Sequence, residues 1–193
     1  SLLTWDEGGV REKVQEIVRR NHTGEEGILI IDETSVAKKG SKTACVQRQY
    51  CGATGKVDNC VVSVHTVFAS GDFHALIDDT PYLPQSWHED RERCRKVGIP
   101  SDVVYLPMHE IALAQVRRAL DNGVPAQWAT ADERYGEVPE FLAQLEAWGL
   151  SYVVEVPTKH LTGWTKLPTV WEKKEAAGDE GKGLHAGAFP RID

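Results

Sequence analysis

Ile28-Leu29-Ile30-Ile31-Asp32-Glu33-Thr34 is a four-residue apolar run closed by an acid, and Gln127-Trp128-Ala129-Thr130-Ala131-Asp132 brings a second short run to the same kind of ending. Four apolar residues are too few for a helix, so the first run reads as a central strand buried on both faces and ending at Asp32. Neither Glu33-Thr34-Ser35 nor Glu133-Arg134-Tyr135-Gly136 suits the continuation of a buried strand. If the two strands are neighbours in one sheet, both carboxylates project from one edge. Rigidly held carboxylates are what a Mg²⁺ site needs, since this ion prefers oxygen ligands and keeps several waters. Glu33 and Glu133 each fall one residue further on, where strand alternation is expected to turn them away from such a site.

Working outward, Val10, Val14, Ile17 and Val18 recur at helical spacing before the stop Asn21-His22-Thr23-Gly24, which predicts one amphipathic helix ahead of the first strand. Residues 46–50 and 60–69 are rich in β-formers around the turn-forming segment 52–59, and Phe73 to Ile77 extends this hairpin into a meander. From Pro81 to Pro107 the pattern breaks into an excursion with a short helix. Ala112, Val116, Ala119 and Leu120 mark a helix stopped at Asn122-Gly123, and Val138, Phe141, Leu142, Leu145 and Trp148 mark another before the strand Tyr152 to Val156. A meander followed by helix–strand alternation predicts an α/β fold with a mixed five-stranded sheet, element order β-β-β-α-β-α-β, flanked by helices and preceded by the N-terminal helix. The expected divisions are a lead-in over 1–26, a core over 27–157, and the start of an insertion or a partly ordered tail over 158–193. Gly178-Asp179-Glu180-Gly181-Lys182-Gly183 reads as a loop.

The 193 residues suffice for one substantial core, and 41% hydrophobic with 26% charged residues is ordinary globular composition. No apolar stretch is long enough to span a membrane and no signal segment opens the chain, so a cytoplasmic protein without a membrane partner is expected. Cys45, Cys51, Cys60 and Cys94 form no CxxC pair, which disfavours structural zinc and points to reduced core thiols. A net charge of −7 disfavours a general polyanion binder. Its distribution changes the picture: Lys38, Lys39, Lys42, Arg48 and Lys56 lie between Thr34 and Val57 with no acid before Asp58. Such a strip can contact DNA phosphates, or it can be a solvated hairpin edge that Lys protects from pairing. Thr34 can position a water or phosphate, or bond its own backbone. Tyr135 and Gly136 are expected to build the turn that aims Asp132, with Gly136 supplying unusual backbone angles. Trp87 either stacks on an unpaired base or anchors its loop in the core.

The blocks Ile30-Ile31-Asp32-Glu33-Thr34, Lys38-Lys39-Gly40, Arg48-Gln49-Tyr50-Cys51-Gly52 and Gly55-Lys56-Val57-Asp58-Asn59-Cys60 resemble the first catalytic block of DDE-type insertion-sequence transposases. Ala131-Asp132-Glu133-Arg134-Tyr135-Gly136 is similar to their second block, and Tyr82-Leu83-Pro84-Gln85-Ser86-Trp87 resembles the branch known as the DDE superfamily endonucleases. The resemblance implies a ribonuclease H-like core that cleaves and transfers DNA strands at transposon ends. It implies Mg²⁺, with Mn²⁺ as a substitute, held by Asp32 and Asp132 as the first two catalytic acids. Transposon-end DNA, homo-oligomerisation of the full-length protein and nucleoid association on DNA are implied in the same way. The third acid of the family is a Glu after a β-rich insertion. Glu172, Glu175 and Glu180 stand late enough in the chain but in loop-like context, so the expectation is a C-terminally incomplete copy whose third acid lies outside the chain.

Two other readings remain open. A truncated transposase remnant would share the fold and bind DNA weakly at most. A haloacid-dehalogenase-like phosphatase also places an Asp at a strand end, but that motif wants a second Asp two residues on, where this chain has Thr34, and a crossover helix where it has a meander.

Overall fold

The computed structural model describes residues 6–157 and, for the backbone alone, 182–187. Helix α1 (Glu7–Asn21) leads into β1 (Gly27–Ala37), β2 (Gln47–Cys51), β3 (Lys56–Ser70) and β4 (Phe73–Pro81). The short helices α2 (Gln85–His88) and α3 (Arg91–Lys96) precede α4 (Met108–Asp121), and β5 (Ala126–Ala131), α5 (Glu133–Gly136), α6 (Pro139–Ala147), β6 (Ser151–Pro157) and β7 (Lys182–Gly187) follow.

Among the described residues, all seven strands join one sheet. Its path runs β2-β3-β1-β5-β6-β7, with β4 also pairing β3. The five strands β4-β3-β1-β5-β6 form the expected mixed core, antiparallel on the β1–β3–β4 side and parallel through β1–β5–β6. This is the strand order of a ribonuclease H-like fold. Two strands extend it: β2 occupies the start of the long β3, whose later part pairs with β4, and β7 lies antiparallel to β6. The excursion contains two short helices rather than one. Lys182 and Gly183, expected in a loop, begin β7 because their backbones pair with Pro157 and Val156.

The first strand departs from its expected form in two ways. It runs on to Ala37, since Glu33 to Ala37 find backbone partners along β3 from Val64 to Cys60. It is also covered on one face only: Leu29 and Ile31 are buried, whereas Ile28 and Ile30 are 40% and 38% exposed. Leu29 and Ile31 belong to one buried core with Val18 of α1, Ile111, Ala112, Val116 and Ala119 of α4, and Phe141 and Leu145 of α6. Helix α1 is turned relative to expectation, because Val10 and Ile17 are exposed while Gln15 is buried.

Buried glutamines have a local cause. The β3–β4 ladder shifts register between Thr66 and Val67, so the consecutive residues Ile77 and Asp78 are both buried, as a bulge allows. The freed Ile77 carbonyl accepts from Gln15 Nε2 at 3.1 Å, and the Val64 carbonyl accepts from Gln115 Nε2 at 2.8 Å. Thr66 donates to Gln115 Oε1 at 2.8 Å, completing a satisfied network inside the core. Asp78, fully buried at its side chain, ion-pairs with Arg11 of α1 at 3.0 Å and Arg118 of α4 at 2.7 Å. One carboxylate therefore ties both helices to the sheet.

A smaller cluster holds the excursion. Trp87 is fully buried beside Cys45, Val46, Leu83 and Cys94, its indole N–H donates to the Val46 carbonyl at 2.7 Å, and the Arg93 guanidinium stacks 3.6 Å from its ring centre. Core anchoring is thus its role, and a stacking platform for an incoming base it is not. All four cysteines are buried free thiols.

Removing one member of a buried ion pair leaves the other charge unpaired and typically costs about 3–5 kcal/mol. The Asp78→Ala variant is expected to lose stability on that scale, read as a lower urea midpoint with an unchanged slope, whereas Lys13→Ala, which breaks an exposed pair with Glu16, should leave the unfolding free energy within about 0.5 kcal/mol of wild type.

Candidate functional site

The parallel pairing of β1 with β5 sets Ile31 beside Ala131, so the next residue of each chain segment, Asp32 and Asp132, emerges at the same end of the sheet. Asp132 leaves the strand as the N-cap of α5, its carboxylate accepting from the Arg134 backbone N–H at 3.0 Å. Asp32 Oδ1 accepts from the Glu33 N–H at 2.7 Å. Each acid is oriented by its own neighbouring backbone.

Glu33 joins them, contrary to the expectation from alternation. Carboxylate oxygens of Asp32, Glu33 and Asp132 lie within 4.8 Å of one another. Alternation does operate: Asp32 is exposed on the open side with Ile28 and Ile30, and Glu33 is half-buried on the side of Leu29 and Ile31. At the terminus of β5, however, the neighbouring strand ends, and side chains from both faces of β1 can reach the space beyond it. Glu133 opens α5 and takes no part in the three-acid cluster.

Burial raises the Asp132 carboxyl above the ordinary carboxylate range, with the nearby Asp32 charge adding to it and the Arg134 backbone N–H and side chain opposing. Burial also raises Glu33, and its ion pair with Arg134 partly offsets the cost. One Glu33 oxygen, Oε2, is buried without a hydrogen-bond partner, and so is the Tyr135 hydroxyl. The two lie close enough to perturb one another without good hydrogen-bond geometry; burial, then the Glu33 charge, pushes the Tyr135 phenol far above its usual range. Repelling carboxylates with an unpartnered buried oxygen fit a hard divalent cation.

The supporting residues act differently from expectation. Gly136 has no unusual backbone angle; a Cβ there would meet the Glu155 carbonyl oxygen at 2.0 Å, so glycine is needed for close approach of α5 to β6. Tyr135 is a fully buried anchor whose ring centre lies 5.5 Å from that of Phe141. Thr34 lies within β1 rather than a turn, with its hydroxyl 3.5 Å from His65 Nδ1, and His65 is the cross-strand partner of Asp32. Of the basic residues, Lys39, Lys42 and Arg48 are exposed and Lys38 is half-buried at the end of β1. None of these four lines the cavity into which Asp32 and Glu33 open; Arg134 does. Glu172, Glu175 and Glu180 lie outside the described residues.

The DDE superfamily endonuclease profile matches residues 2–192. The chain belongs to that family. A probable transposase for insertion sequence element IS701 from Microchaete diplosiphon is 34% identical over 159 residues, which is 81% of this chain and 38% of that relative. The chain therefore spans well under half the length of that relative. DDE membership agrees with the ribonuclease H-like strand order and with acids gathered at the β1–β5 end. Among the described residues, no helix is long and apolar enough to cross a membrane.

Two missed residues left uneven traces in the sequence. The one sequence signal of Arg134 is its position, two residues after an acid that caps a helix. Strand alternation turns a residue such as Glu33 away inside a sheet, and at the rim it does not keep the carboxylate from its neighbours.

A raised carboxyl pKa means that the folded chain holds the proton more tightly than the unfolded chain does. For Asp132 the contribution is therefore most favourable below the unfolded value and declines as pH rises through the folded one. Asp132→Asn, which retains a capping oxygen, is expected to melt at a higher temperature than wild type near neutral pH and to match it more closely in acid. Gly136→Ala, by contrast, should lower the melting temperature at every pH. Circular dichroism melts across the carboxylate range check both.

Proposed function

We propose that this chain is the catalytic core of an insertion-sequence transposase, with Asp32, Asp132 and Glu33 as carboxylates that hold Mg²⁺ for cleavage and transfer of DNA strands at the element's ends. The carrying observation is the three-acid cluster at the end of adjacent parallel strands, in a chain of the DDE superfamily endonucleases. A divalent cation bound there, Mg²⁺ or Mn²⁺, supplies Lewis-acid stabilisation of the oxygens that attack and leave phosphorus.

The residues of the chain do the rest. Asp32 and Asp132, pinned by backbone N–H groups, present oxygens without needing to reorganise. Glu33 contributes its unpartnered Oε2 from the covered side of β1. Arg134 neutralises Glu33 before the site is loaded and lies where it can face the anionic phosphate backbone. Lys38, Lys39, Lys42 and Arg48 supply phosphate contacts further along the DNA, positioning it without reading sequence. Transposon-end DNA is the partner, bound by an oligomer of the longer protein. Work on DNA puts the protein in the cytoplasm, nucleoid-associated when bound.

Calorimetric titration with Mn²⁺ tests the assignment. Asp32→Asn and Asp132→Asn are expected to abolish measurable binding, and Glu33→Gln to weaken it about tenfold or more, on the scale of losing a supporting group at a metal site. Unchanged affinity in both Asp variants would refute the site.

A further inference from the structure

Arg134 is tied to the acid cluster twice. Its backbone N–H donates to Asp132 Oδ1 at 3.0 Å, and its guanidinium forms an ion pair with Glu33 Oε1 through Nε. One residue thus bridges two of the three acids, by its main chain and by its side chain. The main chain is fixed, because Asp132 caps α5 and Gly136, packed closely on the Glu155 carbonyl, holds the end of that helix against β6. The side chain is not fixed in this way. It is 49% exposed and lines the cavity of about 270 Å³ onto which Asp32 and Glu33 also open.

Glu33 is satisfied at one oxygen. Arg134 meets Oε1, whereas Oε2 is buried without a hydrogen-bond partner, and so is the hydroxyl of Tyr135, the next residue of α5. Any cation that binds the cluster therefore competes with Arg134 for the same carboxylate. An ion pair with a half-exposed cation is worth little and exchanges readily. The planar guanidinium fork accepts a phosphodiester in place of a carboxylate with little loss. The two exchanges favour each other: a phosphate that draws Arg134 away removes the competitor at Glu33, and an ion that takes Glu33 frees Arg134 for phosphate. A coupling of this kind is reciprocal.

We propose that Arg134 is an exchangeable latch, which holds Glu33 until a DNA phosphate takes the guanidinium and a divalent cation takes the carboxylate, so that DNA and cation strengthen each other's binding. This deepens the transposase reading and rests on its metal site. Towards the cation Arg134 is a positioning residue that acts through Glu33, and towards DNA it is a binding residue.

The test uses the full chain, a short mixed-sequence DNA duplex, and the same duplex with an uncharged methylphosphonate backbone. In calorimetry without DNA, Arg134→Gln is expected to bind Mn²⁺ about fivefold or more tightly than wild type, the low end of couplings between sites. Made on Glu33→Gln, the same substitution should change Mn²⁺ affinity by less than about twofold, as for residues that no longer interact. The charged duplex should tighten Mn²⁺ binding more in wild type than in Arg134→Gln, and the uncharged duplex should tighten it in neither. In EDTA, Glu33→Gln should tighten binding of the charged duplex by freeing Arg134. Glu133→Gln, which removes an equal charge next to Arg134, and the double variant Glu33→Gln/Arg134→Gln should not. Equal tightening of Mn²⁺ by Arg134→Gln in both backgrounds, or equal gains in duplex binding from Glu33→Gln and Glu133→Gln, would overturn the latch and leave the metal site standing, since simple charge repulsion explains both. Failure of wild type to bind Mn²⁺ with or without DNA would instead remove the metal site, and the coupling with it.

Discussion

Everything at the site follows from the register in which β1 lies parallel to β5. Leu29 beside Ala129 and Ile31 beside Ala131 bury a large residue against a small one, and this pairing fixes where each strand delivers its next residue. A slip of one position would turn Leu29 and Ile31 outward and carry Asp32 to the covered face, at the expense of the core. Burial thus sets the position of the acids. Chemistry that demands charged groups close together is held in place by residues that never touch it.

The same arrangement accounts for the electrostatics. Like charges are brought within 4.8 Å, two of them half-buried, and among the described residues Arg134 is the cation that ion-pairs within the cluster. Free energy stored in that repulsion is a cost to the folded chain and an attraction for cations. Away from the acids, the apolar core packs the helices on the sheet, and Asp78 joins α1 and α4 through its two arginine partners.

Much of this could be read in the residues. Apolar runs ending in Asp32 and Asp132 gave two central strands, and helical spacing located α1, α4 and α6. The limits have physical origins. Strand ends depend on partners: β1 continues through polar Thr34 and Ser35 because β3 is long enough to pair with them. Continuous apolarity at Ile28 to Ile31 suggested two covered faces, yet apolar side chains are tolerated on an open face, and pattern alone cannot count layers. The glycine at 136 announced a special backbone but not which kind, since close approach to Glu155 involves a residue distant in sequence.

The antiparallel pairing of β6 with β7 has a wider meaning. Pro157 and Lys182 are partners across that ladder, so the chain between them departs from and returns to one point on the sheet. Joining two points that lie together on a sheet by a flexible connection costs free energy that grows only with the logarithm of its length. Segments of very different size can therefore be exchanged between Pro157 and Lys182 while the β1–β5 pairing, and the acids it delivers, stay as they are. At this seam the sheet is closed by its own pairing, whatever the length of the connection.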